Sequence, residues 1–491
     1  MRSNHTPCSD DDIGAARHRT AKVRNDLSRP VRAALDSGIL SAHDSFLDYG
    51  CGRGDDLRLL SARGIRGSGW DPVHRPEGTR GPAEVVNLGY VVNVIEDPAE
   101  RLQVLQEAWS YAQKVLVVSA RLTLEAKDVR ARAFGDGCVT SRGTFQKFYT
   151  QHELRDWLEA SLQAPALAAA PGIFFLFRDE SLYQSFAAAR FRRVSAAPRQ
   201  QGSDELYAVH QELLQPLMRA YADHGRLPDA TEIAEAGEIS AVFSSLARAF
   251  AVVRRATGDD QWRQIEEERR QDLLVYLALG AFGRRPKFSA LPPSLQLDVK
   301  GLFGSYTQAL KQADGLLFSA GRPELVDAAC RTSSCGKLTH DALYVHVDAL
   351  DLVPAVLRVY EGCARACFGR MEGANIIKLG RGKPRISYLS YPDFEKDPHP
   401  ALRTSLLVSL DDLDLSERAY GESDNPPILH RKEEFVAPDN PLRARFQKLT
   451  AQEERAGLYE DTHTIGTRNG WQKALEAKGL RLTGHRLVKS R

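Results

Sequence analysis

The sequence predicts an α/β protein: a Rossmann-like N-terminal domain, then a helical region, then a mixed α/β C-terminal region. Three observations lead there. Short apolar runs alternate with helical patterns up to about Asp179. One of those runs ends in a glycine-rich turn, "SFLDYGCGRGDDLRLL", Ser45 to Leu60. Past residue 201 the periodicity turns helical, and past 335 it is mixed. Parallel strands need long crossover connections, so strand–helix alternation at this spacing argues for a parallel sheet.

Residues 1–17 are polar and acidic and read as a disordered tail. "RNDLSRPVRAALDSGIL" reads as a helix, with Ser28 at the N-cap and Pro30 in the first turn, where a missing N–H costs little. The strands are "SFLDYG", "IRGSGWDP", "AEVVNLGYV" and "KVLVVSA", with "DDLRLLSARG" and "AERLQVLQEAWSYA" as helices between them. "PGIFFLFRD" (171–179) is a late strand of the same sheet. The first domain therefore spans 18–195, and "AAPRQQGSDE" (196–205) is the junction. The helical region covers 201–330. The closing region, 335–491, sets strands such as "KPRISYLSY" beside helices such as "VPAVLRVYEGCARACFG".

The formal net charge is only +2, so the average gives no sign of a nucleic-acid or membrane partner, and local clusters must carry any such signal. No apolar run reaches the roughly 18 residues that span a bilayer, and the first twenty residues hold no apolar core of a signal peptide. Seven cysteines, an odd and scattered set, fit a reducing compartment. A cytoplasmic chain without a membrane partner is expected.

Three ligands compete for the glycine turn. A dinucleotide turn wants G-x-G-x-x-G, but counting from Gly50 the third glycine falls on Asp55. Asp55 and Asp56 at a helix start suit the helix dipole but would repel a pyrophosphate seeking the same amides. A P-loop needs Lys-Ser/Thr after the turn, and none follows. The third reading is the S-adenosylmethionine turn, D/E-x-G-x-G-x-G, which Asp48, Gly50, Gly52 and Gly54 match in full, with Cys51 inside it. This ligand carries an ammonium and a sulfonium and no phosphate, so nearby carboxylates help. Asp48 is placed to receive the ammonium. Asp71 ends the next strand, near the interval of about 20 residues at which an acidic side chain meets ribose hydroxyls. Trp70 or Pro72 is expected to face the adenine. Asn87 ends the third strand at the sheet edge where open α/β sheets bind ligands. The cofactor-binding set is thus Asp48, Gly50, Cys51, Gly52, Gly54, Asp71 and Asn87.

This constellation resembles a class I S-adenosylmethionine-dependent methyltransferase domain. "HRTAKVRNDLSRPVRAAL", "FLDYGCGRGDDLRLL", "GWDPVHRP", "VVNLGYVVNVIEDPAER", "RGTFQKFYTQHELRDWL", "LPPSLQLDVKGLFGSY", "KPRISYLSYPDF", "NPPILHRKEEF" and "IGTRNGWQKAL" together resemble the DNA phosphorothioation-associated methyltransferases, from about His18 to the end. The resemblance implies a methyltransferase domain with a long accessory region. It also implies an association with bacterial DNA sulfur modification and its proteins, and DNA or another nucleic acid as partner. It supplies no catalytic residue. Methylation of a small molecule or protein, and a non-catalytic scaffold that binds S-adenosylmethionine, stay open.

Candidates for substrate contact are fewer. DNA-amine methyltransferases use [DNS]-PP-[YFW]. Asn425-Pro426-Pro427-Ile428 lacks the aromatic, lies far past the glycine turn and reads as a proline turn. The only Pro-Cys, Pro7-Cys8, is in the tail, so cytosine-C5 chemistry is excluded. The polar, glycine-rich stretch 135–154 reads as a loop that could lid the pocket, with Arg121, Arg142, Lys147 and Tyr149 as candidates. His18, Arg19 and Arg24 could cover it from the other side, although a basic exposed segment explains them slightly better. Cys330/Cys335 and Cys363/Cys367 have poor zinc spacing and read as packed thiols, so no metal is expected. The last 24 residues hold seven Lys/Arg against one Glu, with Trp471 among them, a composition that suits a phosphate backbone or a solubilising helix.

Overall fold

A computed structural model describes residues 17, 19–21, 23–126, 129–193, 195–199, 205–283 and 285–490. Apart from Arg17, the expected tail lies outside the described residues, as does His18.

The N-terminal domain runs α1 (Arg29–Asp36), β1 (Phe46–Tyr49), α2 (Asp55–Ser61), β2 (Gly67–Trp70), β3 (Ala83–Gly89), α3 (Pro98–Tyr111) and β4 (Ala112–Ser119). A small sheet of β5 (Ala131–Phe134), β6 (Gly137–Thr140) and β7 (Phe145–Gln146) follows, then α4 (Gln151–Leu162), β8 (Ala166–Ala170), β9 (Ile173–Phe177) and α5 (Glu180–Ala189). The main sheet has the order β2-β1-β3-β4-β9-β8. β2, β1, β3 and β4 are parallel, and β9 runs reversed between β4 and β8. The sheet is therefore mixed where strand–helix alternation alone predicts a parallel one. β8 and β9 are joined by the tight turn at Gly172 (φ +74°), and so short a link forces a hairpin.

Local chemistry accounts for most of these elements. Asp97 caps α3 by accepting from the Ala99 amide, and Thr150 and Glu153 form a reciprocal capping box on α4. β4 is apolar on both faces because both are covered. Leu116 and Val118 pack on one side with Leu105 and Leu154, while Val115 and Val117 pack on the other with Val31 and Leu60.

The helical region comprises α6 (Glu205–Val209), α7 (Gln211–His224), α8 (Ala236–Phe243), α9 (Leu246–Thr257), α10 (Asp260–Leu279), α11 (Pro293–Phe303), α12 (Tyr306–Ala320) and α13 (Pro323–Thr332). After it come β10 (Lys337–Leu338), β11 (Ala342–His346), α14 (Ala355–Phe368), β12 (Ile376–Gly380), β13 (Arg385–Ser390), β14 (Thr404–Ser409) and β15 (Asp414–Ala419), an antiparallel sheet in sequence order with α14 against it. α15 (Arg443–Arg455), α16 (Arg468–Ala477) and the hairpin of β16 (Leu480–Leu482) and β17 (Leu487–Lys489) close the chain. One core joins Leu273–Leu279 of α10, Leu302 of α11, Leu357 of α14 and Leu343, Ile377 and Ile386 of the sheet. The expected division at 330–335 thus falls inside a shared core. Cys330, Cys335 and Cys367 are buried in that core.

Two sets of bonds fasten the parts together. Asp272 on α10 is buried and accepts from Arg193 N and Nε at 2.8 and 2.6 Å and from Arg358 on α14 at 2.7 Å, with Arg269 at 3.3 Å. At the other seam, the outermost strand β8 receives the Arg370 amide on its Ala169 carbonyl at 2.8 Å. Gly369 fits there because a side chain would collide with the Ala169–Ala170 backbone. Gln151 and Arg155 of α4 donate to the last carbonyls of α14, Cys367 O at 3.1 Å and Ala366 O at 3.3 Å. Among the described residues no single helix is long and apolar enough to cross a membrane.

Candidate functional site

β1 lies between β2 and β3, so the chain leaves it in opposite directions on its two sides. The crevice beyond the carboxyl ends of β1 and β3 is the switch point at which open α/β sheets bind ligands. Asp48 and Asn87 are register partners there, and Asn87 Nδ2 donates to Asp48 Oδ1 at 2.8 Å.

Beyond Asp48 the backbone turns through three left-handed glycines, Gly50 at φ +85°, Gly52 at +53° and Gly54 at +78°. This is why the motif needs glycine at every second position. At Gly50 a side chain would also strike Val91. The Trp70 carbonyl at the end of β2 accepts from the Gly50 and Cys51 amides at 2.8 and 3.1 Å. Asp71 then locks the turn. Its Oδ2 accepts from Gly52 N at 3.0 Å, and its Oδ1 accepts from Val73 N and His74 N at 3.0 and 2.8 Å. A carboxylate has about four acceptor positions, so one stays open on Asp71. The seven residues that the sequence points to surround one turn. Cys51 contributes its backbone, since its thiol is buried and burial pushes its pKa up to about 12.

The electrostatics of the crevice are unbalanced. Asp48 is only 3% exposed, and burial, with the Asp56 carboxylate second, pushes its pKa up to about 7. It has no ion pair with any described residue, and the buried Asn87 Oδ1 has no hydrogen-bond partner. A buried carboxyl short of a cation, an orphan acceptor and a glycine cradle fit the methionyl ammonium and backbone of S-adenosylmethionine.

Asp55 and Asp56 have a role beyond the one the sequence suggests. The Asp56 carboxylate acts on Asp48, and both residues pin the segment that precedes α1. Asp55 Oδ2 accepts from Arg24 N at 2.8 Å, and Asp56 Oδ1 accepts from Ser28 N at 2.7 Å, because the first turn of α2 faces that segment. Arg17 binds Glu96 and Glu100 at 2.7 and 2.6 Å, beyond β3. The described residues of this segment lie beside the glycine turn, with Ala21 Cβ 3.3 Å from where a Gly52 side chain would begin. Arg19 is exposed. Asp56→Ala is expected to cost roughly 1–3 kcal/mol by stranding the buried Ser28 amide, and to speed proteolytic cleavage between Arg17 and Arg29. Cleavage at the wild-type rate would show that the segment is held elsewhere.

Trp70 is half-buried, its ring centroid 5.1 Å from that of Tyr49 and under the Arg80 guanidinium at 4.2 Å, and Pro72 is exposed. The stretch 135–154 is the β6–β7 sheet and the start of α4, not a lid loop. Lys147 is buried against Asp136 and Glu153 at 3.0 and 2.7 Å, and Tyr149 is core at 1% exposure. Arg142 is exposed at the hairpin tip, and Arg121 lies over Phe148 at 5.1 Å. The proline segment braces α16, with Asn425 Oδ1 accepting from Asn469 N at 2.8 Å. Trp471 is buried against His399 and His430 and is unavailable for stacking on bases.

Tyr90 is a site-rim residue that the sequence reading misses. It is a non-glycine residue at φ +59° at the end of β3, and its amide donates to Ser119 O and Oγ at 3.0 and 3.1 Å, tying β3 to β4 at the rim of the crevice. The signal available in the sequence is the run Asn87-Leu88-Gly89-Tyr90, where a polar residue, a glycine and an aromatic end an apolar strand.

Residues 16–161 match a family model described as a methyltransferase domain. The match, together with the Rossmann-like sheet order and its glycine turn, identifies the N-terminal part as a methyltransferase domain. Solved structures similar to the chain include 1,6-didemethyltoxoflavin-N1-methyltransferase of Burkholderia thailandensis, at 16% identity over 34% of this chain and 85% of that one, TM-score 0.25. An amino pentose methyltransferase of Micromonospora echinaspora is 16% identical over 36% of this chain and 100% of that one, TM-score 0.25. Magnesium protoporphyrin IX methyltransferase of Synechocystis PCC 6803 is 12% identical over 34% and 97%, TM-score 0.25. No curated protein sequence matches the chain significantly.

Proposed function

We propose that the chain is a cytoplasmic S-adenosylmethionine-dependent methyltransferase that acts on nucleic acid or a nucleotide-like substrate, in association with bacterial DNA phosphorothioate modification. Asp48 and Asn87 hold the methionyl end of the cofactor, Gly50, Gly52 and Gly54 let the backbone approach it, and Asp71 offers its remaining acceptor position to a ribose hydroxyl. The cofactor brings an electrophilic methyl group, so the protein's task is to orient an acceptor toward it and exclude water.

The resemblance along the whole chain supports the association with DNA sulfur modification. The observation that carries the nucleic-acid reading is the C-terminal unit. Trp471 and Leu475 bury one face of α16, while Arg468 and Lys473 on α16 and Arg481, Arg486 and Lys489 on the hairpin face outward. A helix beside a basic hairpin suits a phosphate backbone.

The test is a labelled-methyl assay on DNA, RNA and metabolite fractions. Label in DNA or RNA is the expected result. Label in metabolites alone would sink the nucleic-acid reading, and cofactor binding without any transfer would favour a scaffold. Replacing Lys473, Arg481 and Arg486 by Glu is expected to leave cofactor affinity unchanged. It should also flatten the log–log salt dependence of DNA binding, by about 0.9 for each phosphate the variant no longer neutralises.

A further inference from the structure

A second site lies far from the glycine turn. Where the methyltransferase domain meets the rest of the chain there is a cavity of about 80 Å³ bordered by Leu167 and Ala168 of β8. Asp48 is on β1, and β8 lies at the far end of the sheet from it, beyond β3, β4 and β9. Four arginines line the cavity: Arg155 on α4, Arg190 at the end of α5, Arg285 after α10 and Arg365 on α14. Tyr183 and Tyr276 supply aromatic wall.

Three of these arginines are matched. Arg365 pairs with Glu361 at 2.6 Å, Arg285 pairs with Asp314, and Arg155 donates to the Ala166 and Ala366 carbonyls at 3.4 and 3.3 Å. Even so, the Nε atoms of Arg285 and Arg365 are buried and have no hydrogen-bond partner. The Arg190 guanidinium makes no ion pair and no hydrogen bond among the described residues; the like charges of Arg365 and Arg370 act on it, and so does the Glu361 carboxylate, which is itself paired with Arg365. Burial, with Arg365 second, pushes its pKa down to about 10. A guanidinium held beside others of its kind, with the nearby Glu361 carboxylate taken up by Arg365, is short of an anion.

We propose that this cavity binds a small oxyanion, phosphate or the phosphate of a monoester, gripped by the Arg190 fork, with Arg155, Arg285 and Arg365 supplying positive charge around it. Planar guanidinium forks match phosphate geometry. The tyrosines flank the space an organic substituent would occupy. The walls come from the methyltransferase domain, the helical region and α14, so a bound anion ties all three together.

Thermal unfolding of the full chain, titrated at constant ionic strength with inorganic phosphate and separately with phenyl phosphate, tests this. A saturable rise in midpoint with at least one of them is expected, since a ligand that binds only the folded state stabilises it. Response to inorganic phosphate identifies the free ion, and response to phenyl phosphate alone identifies the ester. Arg190→Met is expected to weaken the apparent affinity by about tenfold or more, and Arg190→Lys, which keeps charge without the fork, by less. The Arg190 side chain has no partner to strand, so Arg190→Met should fold and bind S-adenosylmethionine as the wild type does. Silence of the wild type toward both anions, or an undiminished response in Arg190→Met, overturns the proposal.

Discussion

If the proposed binding mode holds, Asp48→Asn is expected to weaken S-adenosylmethionine binding by about 2–4 kcal/mol, roughly 30- to 1000-fold, because it removes the buried charge proposed to meet the ammonium. The stronger signature is in pH. In the free protein the Asp48 carboxyl has a pKa of about 7, against an ordinary 3.8, and burial is the main cause. Binding a cation favours the carboxylate, so the complex holds fewer protons than the free protein. Affinity therefore rises with pH up to about 7 and levels off above it, and each unit below costs close to tenfold. Folding has the opposite sign. A carboxyl raised by burial contributes stability that is fully present below about 3.8 and is lost as pH climbs through about 7. The ligand-free protein should thus weaken over the window in which the ligand gains. Calorimetric titration from about pH 5.5 to 8.5 on wild type and Asp48→Asn, a span that brackets the raised pKa, checks both. A flat wild-type profile would remove Asp48 from the ammonium's company.

The second large effect is structural. Asp272→Ala leaves Arg193, Arg269 and Arg358 around a hole, three guanidiniums that converge on one carboxylate. Breaking a buried ion pair from one side costs about 3–5 kcal/mol, because the stranded charge stays buried. Urea denaturation should show a loss of that size. Both the α5 end of the methyltransferase domain and α14 should loosen, since Asp272 binds both. A wild-type midpoint in Asp272→Ala would mean that the arginines find solvent.

The sequence is most informative where covalent geometry leaves little choice. Positive φ at Gly50, Gly52 and Gly54 is a backbone requirement that residue type announces, Asp71 stands out by its interval from Asp48, and Asn87 because it ends an apolar run. β8 is invisible. "ALAAA" is a helix former by propensity, and only its pairing with β9 and its cover by α14 make it a strand. Lys147 and Tyr149 read as loop residues because polar, glycine-rich composition looks the same in a three-stranded sheet as in a loop. Asp55 and Asp56 show the limit most clearly. Their position at a helix start is legible, but their partners, Arg24 N and Ser28 N, lie about 30 residues earlier in the chain, and no local pattern points to them. Arg190 has no sequence signal at all, since its interest lies in the company it keeps across three regions.

The seam at Ala169 has a consequence for the methyltransferase domain taken by itself. β8 is the outer strand of its sheet, and what lies along it is the Arg370 amide and the end of α14, both from the far half of the chain. Stripped of residues beyond the junction, the sheet would leave the Ala169 carbonyl unpaired on a short outer strand that Pro165 and Pro171 bracket and Arg155 caps at Ala166. The far half of the chain thereby covers one of the two edges of the sheet, the other being β2.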